Sequence, residues 1–218
     1  MTSVTTVVKP VSQIKLAPGS VVTIPNVTWQ EFESILQELG SKRSARVAYS
    51  NNMLEIMVPL PEQELPRDLI SDIVKILLKR TGRNYQPFGS TTFKQEKTAG
   101  VEPDASFYIQ NYQQMIGRRR LSPDDPPPDL ALETDVTSKT TIDAYLAIAV
   151  PELWIYEREK LTIYLLRNGQ YIKSDISTTF PNISIAQIVP DTVSRAWQVG
   201  SVQALEELSA KISNQPPT

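Results

Sequence analysis

The chain has no histidine and no cysteine. Without histidine there are no Ser-His-Asp triads, no histidine-based nuclease chemistry, no zinc sites with imidazole ligands and no imidazole acid–base catalysis. Without cysteine there are no disulfides and no thiolate chemistry, a composition that suits the cytoplasm. No run of eighteen apolar residues occurs, so no membrane-spanning helix is expected. Residues 1–10 lack the basic flank and apolar core of a signal peptide, which again leads to a cytoplasmic expectation. Basic residues are not in excess either: the net charge is −2, so any attraction to nucleic acid must come from a local patch. What remains for chemistry is carboxylates, lysine, tyrosine, hydroxyls or a metal.

At 218 residues the chain can bury one substantial core. Residues 1–27, with Pro10 and Pro18, read as an arm or edge strand. Thr28-Trp29-Gln30-Glu31 has capping-box form and opens a helix that Gly40 ends. Two strand-like runs, 46–49 and 53–58, meet around Asn51-Asn52, a good hairpin turn. A second amphipathic helix carries Leu69, Ile70, Ile73, Ile76 and Leu77, with Pro66 in its first turn and Glu62 and Glu64 just ahead of it. Residues 90–95 read as a strand and 110–120 as a short helix ending in Arg118-Arg119-Arg120, the one dense basic cluster. Further on come a helix over 140–149, a strand over 151–156 and a hairpin across Asn168-Gly169. A helical tail occupies 191–218. The expectation is one mixed α and β domain over 28–190 between an N-terminal arm and a C-terminal tail.

Two acidic segments stand out. Asp104 heads an apolar strand in A-G-V-E-P-D-A-S-F-Y-I. Glu133 and Asp135 lie on a later strand in D-L-A-L-E-T-D-V-T-S-K-T. Side chains alternate along a strand, so Glu133 and Asp135 share one face while Leu130, Leu132, Thr134 and Val136 share the other. Two carboxylates on so apolar a strand are costly to bury unless their charge is offset. A divalent cation would offset it, and Asp104 would complete an oxygen-rich site for a hard metal. Pairing with arginines in a structural network is the alternative. The aromatic residues Phe107, Tyr145 and Trp154 read as core.

This ordered set (Pro103-Asp104 at one strand, Glu133-x-Asp135 on a later strand, then a helix and a tryptophan strand) resembles the PD-(D/E)XK nuclease superfamily. More narrowly it is similar to a bacterial family of restriction-endonuclease-like proteins long catalogued as a domain of unknown function. The matching segments are Ala99 to Asp104, Glu133 to Ser138 and Tyr145 to Trp154, and the resemblance spans roughly Thr28 to Ile183. It implies an α/β fold with a restriction-endonuclease-like central mixed sheet flanked by helices. It also implies Mg²⁺-dependent (or Mn²⁺-dependent) hydrolysis of DNA phosphodiester bonds, by an enzyme acting as a homodimer. In that scheme Asp104 and Glu133 ligate the metal with a backbone carbonyl near Thr134, and Glu62 or Glu64 stands beside it. The family's E-x-K lysine falls at Asp135, which could only add a metal ligand; Lys139 and Lys94 are the candidate replacements. The histidine that members carry near the second helix is Gln63 here. These departures leave a second expectation, a nuclease-fold binding or assembly module that does not hydrolyse.

Overall fold

In the computed structural model of the chain, residues 10–40, 43–89, 91–134 and 138–213 are described. Their strands divide between two sheets. The first contains β1 (Val21–Pro25), β2 (Arg46–Ser50), β3 (Met53–Met57), β5 (Phe93–Gln95) and β6 (Ala99–Val101), in the order β1-β3-β2-β6-β5. The second contains β4 (Gln86–Phe88), β7 (Ala105–Tyr108), β8 (Leu130–Thr134), β9 (Glu152–Glu157), β10 (Lys160–Arg167) and β11 (Gln170–Ser174), in the order β11-β10-β9-β8-β7-β4. All described pairings are antiparallel except β8 with β9. That parallel pair needs a crossover, and α4 (Lys139–Ile148) provides it. The result is a mixed α/β architecture whose mixed sheet is flanked by helices.

Helix α1 (Trp29–Leu39) begins with the predicted capping box: the Thr28 side chain accepts from the Glu31 amide, and the Glu31 carboxylate accepts from the Thr28 amide at 2.7 Å. Its apolar face, Phe32 and Leu36, closes a core with Val47, Tyr49, Leu54 and Ile56 of β2 and β3. Phe32 stacks on Tyr49 with ring centroids 4.6 Å apart. The β2–β3 turn puts Asn51 and Asn52 at φ 51° and 58°, the left-handed pair that a two-residue hairpin needs. Within the segment expected as an arm, β1 pairs with β3 at the edge of the first sheet.

Helix α2 (Pro61–Arg80) starts earlier than the sequence suggests. Pro61, not Pro66, occupies its first turn, so Pro66 lies inside the helix, and Glu62 and Glu64 belong to its N-terminal turn. Leu69, Ile70, Ile73 and Leu77 pack on Phe107, Leu130 and Leu132 of the second sheet. Helices α5 (Ile185–Val199) and α6 (Ser201–Ser213) complete the same core through Ile188, Val193, Ala204 and Leu208. The helical region expected from 191 thus begins at Ile185 and is part of the main packing. Between 110 and 120 only α3 (Tyr112–Met115) is helical. On the other face, α4 packs against both sheets, touching Ala48, Ala99 and Val101 of the first and Ala131, Leu153 and Ile155 of the second. The chain passes from one sheet to the other through Glu102, Pro103 and Asp104, between β6 and β7.

Candidate active site

Strand pairing builds the site. The antiparallel register of β7 on β8 sets Ala105 opposite Leu132, and one step further it sets Asp104 opposite Glu133. Asp104 is held by β8 itself: its Oδ2 accepts from the Thr134 amide at 2.8 Å and from the Thr134 hydroxyl at 2.6 Å. Glu133 points to the α4 side, where it is 6% exposed and accepts a hydrogen bond from the Tyr145 hydroxyl. Burial and the neighbouring Asp104 charge push the Glu133 carboxyl well above the usual carboxylate range; the Tyr145 hydroxyl, Arg46 and the Asp104 amide pull the other way. Burial and the Glu133 charge likewise drive the Tyr145 hydroxyl upward, so it stays protonated and donates.

Two guanidinium groups face this pair. Arg46 of β2 has its Nε 3.7 Å from Asp104 Oδ1. Arg67 of α2 lines a void of about 10 Å³ together with Asp104, Glu133 and Thr134, with Ile70, Leu132 and Trp154 completing its wall. That void is about the size of one water molecule. Arg67 is held in place by Glu64 at 2.5 Å and Asp68 at 3.0 Å, and it also feels the charge of Asp104. Guanidinium groups stay charged at any working pH and bind phosphate oxygens in a bidentate manner.

A family model, Uma2, described as putative restriction endonuclease, matches residues 29–198. The chain belongs to the Uma2 family. Among solved structures it is similar to a putative nuclease belonging to DUF820 from Anabaena variabilis ATCC 29413. The two share 14% sequence identity and a TM-score of 0.46, over 73% of this chain and 91% of that one. No curated protein matches. The match to Uma2 agrees with the restriction-endonuclease-like resemblance carried by the Pro103-Asp104 and Glu133 segments.

The structure brings together only part of the residue set expected from the sequence. Asp104 and Glu133 meet. Thr134, expected to offer its carbonyl to a metal, uses its amide and hydroxyl to fix Asp104. Asp135 lies outside the described residues. Glu64 sits on α2 and spends its charge on Arg67. Lys139 is exposed at the first position of α4, just after the Ser138 cap. Lys94 is not brought to the pair: it lies on β5 at the far edge of the first sheet, its ammonium 2.8 Å and 3.0 Å from the two Glu33 oxygens. Arg118 to Arg120 follow α3, beyond the end of β7 opposite to Asp104, and Arg118 pairs with Asp125 at 3.2 Å. The residues that do flank the carboxylates, Arg46, Arg67 and Tyr145, carried no site assignment from the sequence. Tyr145 was legible as core, which it is, but nothing in the sequence marks the partner of its hydroxyl.

Among the described residues no three carboxylates are placed to hold a metal ion together, and the described acidic residues at this site are Asp104 and Glu133. These two fit magnesium, which binds through one or two carboxylates and keeps waters or substrate oxygens for the rest of its shell. The Asp104 charge and its own burial make Glu133 favour its protonated form, and a cation bound here would take the place of that proton. No helix among the described residues is long and apolar enough to cross a membrane.

Proposed function

We propose that the chain is a Mg²⁺-dependent endonuclease that hydrolyses DNA phosphodiester bonds at the Asp104–Glu133 pair, acting in the cytoplasm. One observation carries the reading: two carboxylates, one of them buried, face each other across adjacent strands in an Uma2-family chain, with two arginines beside them. A bound magnesium or manganese ion supplies Lewis-acid charge on the phosphate and a water of lowered pKa. Asp104 and Glu133 hold that ion. Thr134 fixes the Asp104 carboxylate through two donors, and Tyr145 fixes Glu133, so neither has to reorganise when substrate arrives. Arg67 and Arg46 take the place of the ammonium absent at Asp135. They cannot accept a proton, so their role is to bind non-bridging phosphate oxygens and the charge that develops on them.

The test is nicking and linearisation of supercoiled plasmid with Mg²⁺ or Mn²⁺, comparing wild type with Glu133→Gln and Asp104→Asn. Cleavage by wild type, stopped by a chelator and reduced at least about 100-fold in each variant, supports the reading. A second reading, a nuclease-fold binding or assembly module, draws on the aspartate in the E-x-K lysine position and on the involvement of Asp104 with Thr134. Silence of wild type across metals, with DNA still retained, would select it. Cutting both strands calls for two sites, so the active species is proposed to be a homodimer. Sedimentation showing only monomer under cleaving conditions would remove that part.

A further inference from the structure

Beside the void at the carboxylate pair lies an open cleft of about 380 Å³, and the two share Thr134 and Tyr156 in their walls. Its walls are the Trp197 indole on α5, the Tyr156 ring on β9, and the carboxylates Glu62, Glu157 and Glu159. Trp197 is 58% exposed although Ala196 and Val193 on the same helix are buried. Tyr156, on the strand beside β8, forms part of both the cleft and the void next to Asp104. The third wall is the β9–β10 turn, where Arg158 and Glu159 hold φ at 49° and 60°. Neither is glycine or asparagine, so the turn is strained, yet it projects two charged side chains at the cleft mouth.

We propose that this cleft receives an unpaired nucleobase from the strand being cut, stacked on Trp197 and read along its edge by the carboxylates. The ligand class rests on the nuclease reading above. The charge pattern chooses between the parts of a nucleotide. Three carboxylates against Arg158 repel a phosphate, so the backbone passes outside, toward Arg67 and Arg46. A base is neutral, presents an aromatic face to an indole, and is sequence-tolerant in stacking. Carboxylates accept hydrogen bonds from exocyclic amines, which cytosine, adenine and guanine carry and thymine lacks. The volume lies in the range that accommodates a small ligand of nucleoside size. Because Thr134 both walls the cleft and clamps Asp104, a base seated there puts its neighbouring phosphate beside the carboxylate pair. The cleft therefore selects an amine-bearing base next to the cut and disfavours an intact duplex on this side.

The experiment measures binding of short fluorescein-labelled oligothymidylate strands carrying one central dC, dA, dT or abasic residue, with chelator present so that no cleavage occurs. Wild type should bind the dC and dA strands more tightly than the dT or abasic strand. Trp197→Ala should bind the dC strand about 5- to 150-fold more weakly and lose the preference, and Trp197→Phe should keep both. Equal binding of dC and abasic strands by wild type, undiminished binding by Trp197→Ala, or no binding of any strand overturns the proposal. Plasmid cleavage is scored separately. Base-dependent binding with an uncut plasmid leaves the cleft standing and removes the nuclease reading, whereas cleavage with base-independent binding does the reverse.

Discussion

Replacing Tyr145 with phenylalanine deletes one hydroxyl and changes almost nothing else in shape. Tyr145 is 1% exposed and packed among Ala131, Ala144 and Leu153, so the ring stays in place. What is lost is the hydrogen bond to the Glu133 carboxylate. A bond to a charged acceptor is worth about 1.5–3 kcal/mol, and one to a neutral acceptor about 0.5–1.5 kcal/mol. The cost therefore depends on whether Glu133 is ionised. Its folded-state carboxyl lies above the ordinary value of 4.5. Between 4.5 and that raised value the folded chain holds a proton that the unfolded chain has released, so wild-type stability falls as pH rises through this window, and it gains nothing further below it. Tyr145→Phe removes a donor that favours the ionised form, so its cost should grow with pH, from the neutral figure near pH 5 toward the charged figure at alkaline pH. For a chain of this length that is roughly 3–12 °C in Tm at the alkaline end. Urea titrations from pH 5 to 9, for both single variants and the double variant with Glu133→Gln, measure it. When Glu133→Gln is already in place, the cost should stay at about 0.5–1.5 kcal/mol at every pH, and the wild-type slope should flatten. A pH-independent cost, or the same cost with and without Glu133→Gln, would refute the reasoning.

Other consequences are open to measurement. Glu152 is fully buried and accepts from the Trp154 indole, the Ser177 and Thr178 hydroxyls, and both the amide and hydroxyl of Thr179. Glu152→Ala leaves those donors without an acceptor and should cost at least about 3 kcal/mol in urea unfolding; a loss below about 1 kcal/mol would contradict the network. A Cβ at Gly100 would lie 2.6 Å from the Phe32 ring, which is already stacked on Tyr49, so Gly100→Ala should cost about 1–3 kcal/mol. Calorimetry would detect it, and an unchanged Tm would show that the ring can move. If Arg67 serves the phosphate, Arg67→Ala should slow plasmid nicking about 100-fold, while Lys94→Ala should leave it within about twofold because β5 holds that ammonium at the far edge of the first sheet, away from the carboxylate pair. Equal effects would return the missing lysine role to Lys94.

Much of the frame was legible because local chemistry and tertiary structure agree. Thr28 with Glu31 starts α1, Asn51-Asn52 and Asn168-Gly169 turn two hairpins, and the apolar alternation around Leu130 and Leu132 marks β8. The Asp104 and Glu133 positions were legible too, since a carboxylate inside an apolar strand requires an explanation. The division into two sheets was not: β4, β5 and β6 are three residues each, too short for a periodic signal. Nor was the Arg158-Glu159 turn, where strand pairing overrides residue preference. The start of α2 was misplaced because Pro61 and Pro66 are equally plausible first-turn prolines by sequence. Arg46 and Arg67 went unnoticed for a simpler reason. A lone arginine looks like any solvated charge until a neighbouring strand or helix turns it inward.

The passage through Glu102, Pro103 and Asp104 ties the carboxylate pair to both sheets. Glu102 is buried and ion-paired with Arg43 beside the first sheet, while Asp104 is clamped by Thr134 of the second. Arg46, which faces Asp104, belongs to the first sheet, and Glu133 to the second. The site is thus assembled from both halves of the molecule and exists only while they are docked. Partial melting of the five-stranded sheet would extinguish it even with the larger core intact. If the proposed nuclease activity is found, turnover on a heated sample would report the docking of the two sheets, and its fading before bulk secondary structure would show two cooperative units rather than one.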